Sequence, residues 1–146
     1  MLSTITSQTH RDRRGLFTSL PFVSAQVDIS FTRFAGTLRG LHYRDPFEEK
    51  LVLCTGGSIY DVIVGLKTGE WLPLYMSSRE ICHPRFVPKG FAHGFQALED
   101  NTEVFYVVSE LYDPECSRGI RFDSYGIRWP LPVQRLSETD DGLPRL

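Results

Sequence analysis

Gly36-Thr37-Leu38-Arg39-Gly40-Leu41-His42-Tyr43, followed closely by Lys50-Leu51-Val52, sets two cations and an imidazole into a stretch that otherwise reads as β-strand. Around it the local period is 2 and not 3.6 almost everywhere. Alternation predicts strands at Ala25–Thr32, Thr37–Tyr43, Lys50–Thr55, Ser58–Leu66, Trp71–Ser77, Arg85–Pro88, Gly94–Leu98 and Glu103–Ser109. Turn formers separate them: Arg14-Gly15, Asp45-Pro46, Gly56-Gly57, Thr68-Gly69-Glu70, Pro88-Lys89-Gly90, Glu99-Asp100-Asn101 and Asp113-Pro114. Many short strands at near-regular spacing predict an all-β fold, a sandwich or jelly-roll barrel. No helix longer than about two turns is expected. The tail from Pro132 to Leu146 mixes prolines with acids and should be irregular, stable only if docked on the barrel.

The 146 residues fit one domain, residues 1–146, with one sizeable core. Apolar residues make up 41%, as in a soluble globular protein, and the formal net charge of −2 sets up no field favouring nucleic acid. The N-terminus lacks a basic segment leading into an apolar one, and no run reaches the roughly 18 apolar residues of a membrane span. A cytoplasmic location is expected. The three cysteines, Cys54, Cys82 and Cys116, are odd in number and form no CxxC, which argues against a disulfide framework or a zinc site. Cys54 reads as a small core residue. The basic run His10-Arg11-Asp12-Arg13-Arg14 reads first as a solvated turn; the functional alternative is phosphate contact by one of its arginines.

Alternation also sorts the chemistry. Tyr106 shares a face with Val104 and Val108, His93 with Phe91 and Phe95, and Lys50 with Val52 and Cys54. Each alone is more simply a strand-end charge or a satisfied core residue. Together they point to a polar cavity, because buried polar groups are costly unless paired or used. A base, a phenolic acid and nearby cations suit proton abstraction beside a carbonyl, with the cations holding the enolate. Strict alternation puts Arg39 and His42 on opposite faces. They share a cavity only if the strand bulges, and Gly40 is where a bulge would fall; otherwise Arg39 is an exterior salt-bridge partner. A metal barrel would offer His-x-His with a downstream glutamate. Here His42 is followed by Tyr43 and Arg44, Glu48-Glu49 come only after Pro46, and the nearby Lys50 disfavours a cation. No GxSxG elbow, phosphate loop or GxGxxG is present.

Blocks along almost the whole chain, from about His10 onward, resemble the dTDP-4-dehydrorhamnose 3,5-epimerase family. They are Asp12-Arg13-Arg14-Gly15, Gln26-Val27-Asp28-Ile29-Ser30, Gly36–Tyr43, Lys50-Leu51-Val52, Gly57-Ser58-Ile59-Tyr60-Asp61-Val62, Pro88–Phe95, Tyr112-Asp113-Pro114, Gly126-Ile127-Arg128-Trp129-Pro130 and Leu136-Ser137-Glu138-Thr139-Asp140. The resemblance implies a cupin-like jelly roll without metal or cofactor, a homodimer, and a nucleoside-diphosphate sugar substrate. It implies His42 as the base that removes a proton alpha to the C4 ketone, Asp140 as the carboxylate orienting it, Tyr106 as the acid on the opposite face, and Lys50 as the cation near the enolate. It implies Arg39 and His93 as holding the sugar nucleotide and the polar network, and Arg14 and Gln26 as nucleotide contacts. Asp61 competes with Asp140 as the orienting carboxylate. The chain departs from the family's pattern at Ser19, Asp28, Ser117 and Thr139, where glutamate, asparagine, glutamate and lysine are usual. The reaction class is thus better supported than the nucleotide. A ketoisomerase, a C3-only epimerase and a non-catalytic sugar-nucleotide-binding barrel remain as alternatives.

Overall fold

The computed structural model describes residues 8–19, 22–80 and 84–146, so Cys82 lies outside the described residues. β1 (Gln8–Asp12) and β2 (Gly15–Ser19) form a separate antiparallel hairpin. Then follow β3 (Gln26–Thr32), β4 (Leu38–Arg44), β5 (Lys50–Gly56), β6 (Ser58–Gly65), β7 (Trp71–Ser77), β8 (Arg85–Val87), β9 (Phe91–Ala97) and β10 (Thr102–Val108). One sheet has the order β3-β10-β5-β8. The other is β4-β9-β6-β7, with β11 (Ser117–Gly119) added beside β4. From β3 to β10 the chain alternates between the sheets except at the β6–β7 hairpin, which is the jelly-roll arrangement.

The strands expected from alternation are all present. β9 starts at Phe91, earlier than expected, and so carries His93 within the ladder. The β1–β2 hairpin and β11 were not expected. Every residue of β1 is exposed, so no in–out alternation marks it, and β11 is only three residues long. In the tail, α1 (Glu138–Asp141) is a single turn capped by Ser137, whose Oγ accepts from the Asp140 amide at 3.0 Å. The remainder is irregular and docked: Leu38 N donates to Arg135 O, and Arg121 N to Pro144 O.

β6 is buried along nearly its whole length, so its two faces feed two apolar clusters. Ile59 and Ile63 pack with Val52, Phe95 and Val104 between the sheets. Tyr60, Val62 and Val64 pack with Leu41, Ala92, Ile120 and Ile127, under the chain that follows β11. Each such Val or Ile contributes on the order of 1.5–3 kcal/mol by leaving water.

The bulge expected at Gly40 is present. Arg39 pairs with Phe95 and His42 with His93, so three steps along β4 match two along β9. Gly40 has φ +123°, and a Cβ there would lie 2.6 Å from Gly94 Cα and 2.8 Å from His93 O. Only glycine fits both this conformation and this approach. The extra residue re-aims the strand, so Arg39 and His42 line the same cavity.

Candidate active site

Between the two sheets opens a cavity of about 690 Å³. Seven of the eight expected site residues line it: His42, Tyr106, Asp140, Lys50, Gln26, Arg39 and His93. Arg14 does not. It sits at the β1–β2 turn, its side chain 90% exposed and held at 2.5 Å by Asp12.

Asp140 Oδ1 lies 2.6 Å from His42 Nε2, and its Oδ2 accepts from the Gly40 amide at 3.1 Å. Burial raises the Asp140 carboxyl, but the hydrogen bond and charge of His42, with the Gly40 amide, outweigh it and hold the group below the usual carboxylate range. With Nε2 bonded to the carboxylate, Nδ1 of His42 has no protein partner among the described residues. That nitrogen is the one available as a base.

Asp61 serves the other histidine. Its Oδ1 lies 2.5 Å from His93 Nε2, deep in the protein, with Arg85 Nε 3.4 Å from Oδ2. Burial pushes the Arg85 guanidinium down and the Asp61 charge opposes that. The rivalry between the two carboxylates thus resolves geometrically into one partner for each imidazole.

Tyr106 Oη lies 3.3 Å from Ser30 Oγ, and its ring meets His93 edge-on with centroids 6.2 Å apart. Burial drives the phenol well above its ordinary range, only partly opposed by the Ser30 hydrogen bond. It therefore stays protonated at neutral pH and can donate. His42 stands on β4 and Tyr106 on β10, in opposite sheets, so the imidazole and the phenol line opposite walls.

Lys50 Nζ is 3.0 Å from Glu48 Oε1. Arg39 donates from Nε to Thr32 Oγ1 and from Nη2 to Phe31 O. Gln26 accepts from the Tyr112 amide and donates to Asp28, each at 2.8 Å. Sequence reasoning missed Glu48, Ser30 and Arg85. Ser30 was legible in principle, because it shares the alternation face of Gln26 and Asp28; Arg85 was not. Of the departures from the family pattern, Asp28, Ser117 and Thr139 line the cavity, and Ser19 is exposed on β2. Among the described residues no group of three His, Cys, Asp or Glu side chains is arranged to hold a metal ion, and no helix is long and apolar enough to cross a membrane.

Residues 2–146 match the family model described as dTDP-4-dehydrorhamnose 3,5-epimerase. A protein of that name from Sinorhizobium fredii is 40% identical over 131 residues, spanning 83% of this chain and 67% of its own. The crystal structure of the Bacillus anthracis enzyme of the same name, with TDP and PPi bound, superposes with a TM-score of 0.86 at 33% identity, covering 96% of this chain and 91% of that one. A Legionella pneumophila 3,5-epimerase in complex with dTDP-4-keto-L-rhamnose gives a TM-score of 0.79 at 28% identity, covering 95% and 90%. A jelly roll with an imidazole–carboxylate pair facing a protonated phenol, together with these likenesses, places the chain in the dTDP-4-dehydrorhamnose 3,5-epimerase family of carbohydrate isomerases.

Proposed function

We propose that this protein inverts C3, C5 or both in a nucleoside-diphosphate 4-keto-6-deoxysugar, with dTDP as the nucleotide. The observation that carries this reading is the His42–Asp140 pair and the Tyr106 phenol on opposite walls of one cavity. Asp140 accepts from Nε2–H of His42, so Nδ1 takes the proton from the carbon alpha to the C4 ketone. The C–H electron pair moves into the ring and the carbonyl pair onto oxygen. The resulting enolate is held by the Lys50 ammonium. Tyr106 then donates its proton to the other face of the same carbon, and the enolate collapses to the ketone with inverted configuration. His42 ends protonated and Tyr106 deprotonated, and exchange with solvent resets both.

The dimer belongs to the same proposal. β3 is an edge strand whose Gln26, Asp28 and Ser30 line the cavity, while Val27, Ile29 and Phe31 point away and are 51%, 62% and 57% exposed. An apolar edge of this kind needs a cover, and a second copy across a two-fold axis supplies one. In that dimer the β1–β2 hairpin, outside both main sheets of its own chain, brings Arg14 to the nucleotide of the neighbouring site. The unpaired thiols of Cys54 and Cys116 suit a reducing cytoplasm.

The test is incubation with dTDP-4-keto-6-deoxyglucose in D2O, followed by NMR. Deuterium at C3 and C5 with inversion is expected. Incorporation at C3 alone would make it a monoepimerase. Tight binding with no incorporation would leave a non-catalytic barrel and overturn the reading.

A further inference from the structure

Four cations line the cavity: Arg39, Arg44, Lys50 and Arg135. Their surroundings divide them sharply. Arg39 donates to a hydroxyl and a carbonyl, Arg44 to the carbonyl of Pro46, and Arg135 lies 4.4 Å over the Phe34 ring. None of the three is ion-paired among the described residues, and the buried Nε of Arg44 has no partner at all. Such guanidiniums keep their charge and forked donors for an incoming anion.

Lys50 is the exception. Its side chain is 16% exposed, that of its partner Glu48 is 12% exposed, and both line the cavity. Glu48 is itself held in place. The next residue, Glu49, donates its amide N–H to Ser109 Oγ and accepts from the Ser109 amide at its carbonyl, which pins the entry to β5. Removing two charges from water is costly, so a largely buried ion pair is weak evidence for stability and asks for another reason.

We infer that Glu48 is a positioning residue, one that fixes the ammonium of Lys50 and cancels its charge so that Lys50 meets the keto oxygen of the sugar while the diphosphate goes to the unpaired arginines. The inference rests on the epimerase reading above and deepens it. A free lysine in this cavity would compete for the phosphates, the most charged part of the substrate. Paired, it offers little net charge to an anion in the ground state, yet its remaining N–H donors stay aimed at an oxygen that becomes negative only as the proton leaves.

The experiment is a double-mutant cycle on the full chain, with Glu48→Ala, Glu48→Gln, Lys50→Met and the two combinations. Exchange kinetics with dTDP-4-keto-6-deoxyglucose in D2O give kcat and KM, and calorimetry gives dTDP affinity. Glu48→Ala should lower kcat about 10- to 100-fold, as expected for a misplaced catalytic group, with dTDP bound as tightly as by the wild type or more tightly, because the freed ammonium can reach the diphosphate. Glu48→Gln, which keeps the hydrogen-bond acceptor, should lose less. In the Lys50→Met background either Glu48 change should alter kcat by less than about twofold, because its route to the substrate is gone. Wild-type kcat in both Glu48 variants, a loss confined to KM and dTDP affinity, or an equal loss with and without Lys50 would each overturn the assignment. If Glu48→Ala fails to fold, the near-isosteric Glu48→Gln carries the cycle. A wild-type protein that exchanges no deuterium would instead sink the epimerase reading, so the two failures are told apart.

Discussion

Asp140 Oδ1 sits 2.6 Å from His42 Nε2, although the two residues are 98 positions apart in the chain. The contact is made by docking a single helical turn against the bulge of β4, where the Gly40 amide holds the second carboxylate oxygen. The orientation of the His42 imidazole thus depends on the last elements of the chain finding one irregular point in a strand laid down much earlier.

His42→Ala is expected to abolish solvent exchange at the sugar while preserving the far-ultraviolet circular dichroism of a β protein. Loss of a general base lowers rates by about 10² to 10⁴. An exchange rate equal to that of the wild type, read by NMR in D2O, would remove His42 from the role.

Tyr106→Phe separates the two half-reactions. The base remains, so proton abstraction and return on the His42 face should continue and label the carbon. Inversion should fall by about 10² or more, since no acid stands on the other wall. Product analysis showing undiminished inversion would mean that another group donates.

Acid should weaken the fold through Asp140. Its carboxyl is held below the ordinary range in the folded protein, so the unfolded chain takes up the proton first as pH falls. The stabilisation is complete above the unfolded value of about 4 and is lost as pH drops through the folded value. Urea midpoints of the wild type and Asp140→Asn, compared from neutral pH downward, should differ most near neutrality and converge below about pH 4. A gap that stays constant through that window would contradict the linkage.

Gly40→Ala should destabilise the protein by about 1–3 kcal/mol from backbone conformation alone, with more from the approach of Gly94 and His93. Activity should fall as well, because the bulge places both Arg39 and His42. Chemical denaturation and exchange rates measured on one preparation check both effects. A stable Gly40→Ala protein with full activity would show that the bulge is dispensable.

Ile29→Glu places a charge in the middle of the outward face of β3, between the exposed Val27 and Phe31. Light scattering should give a dimer mass for the wild type and a monomer mass for the variant at micromolar concentration, together with a weaker grip on nucleotide if Arg14 acts across the interface. A monomeric wild type, or a variant that stays dimeric through this face, would count against the arrangement.

Alternation along the strands was enough to read an all-β sandwich or jelly-roll barrel, because a period of 2 follows from backbone geometry and needs no knowledge of distant chain; the choice of a cupin-like jelly roll came from the family resemblance. The same local logic exposed the conflict between Arg39 and His42 and located its remedy at Gly40. What alternation could not supply was any pairing between elements. Only the family's pattern favoured Asp140 over Asp61 as the partner of His42, until β6 placed Asp61 beside His93 and the docked tail placed Asp140 beside Gly40. Glu48 was just one of two consecutive acids until the pinned loop turned it onto Lys50. Arg14 carried its motif in the sequence, yet the hairpin holds it away from the cavity of its own chain. The strand pattern is a short-range property of the chain. Which carboxylate meets which cation is settled by sheet register, loop anchoring and the docking of the tail, and these exist only once the barrel has closed.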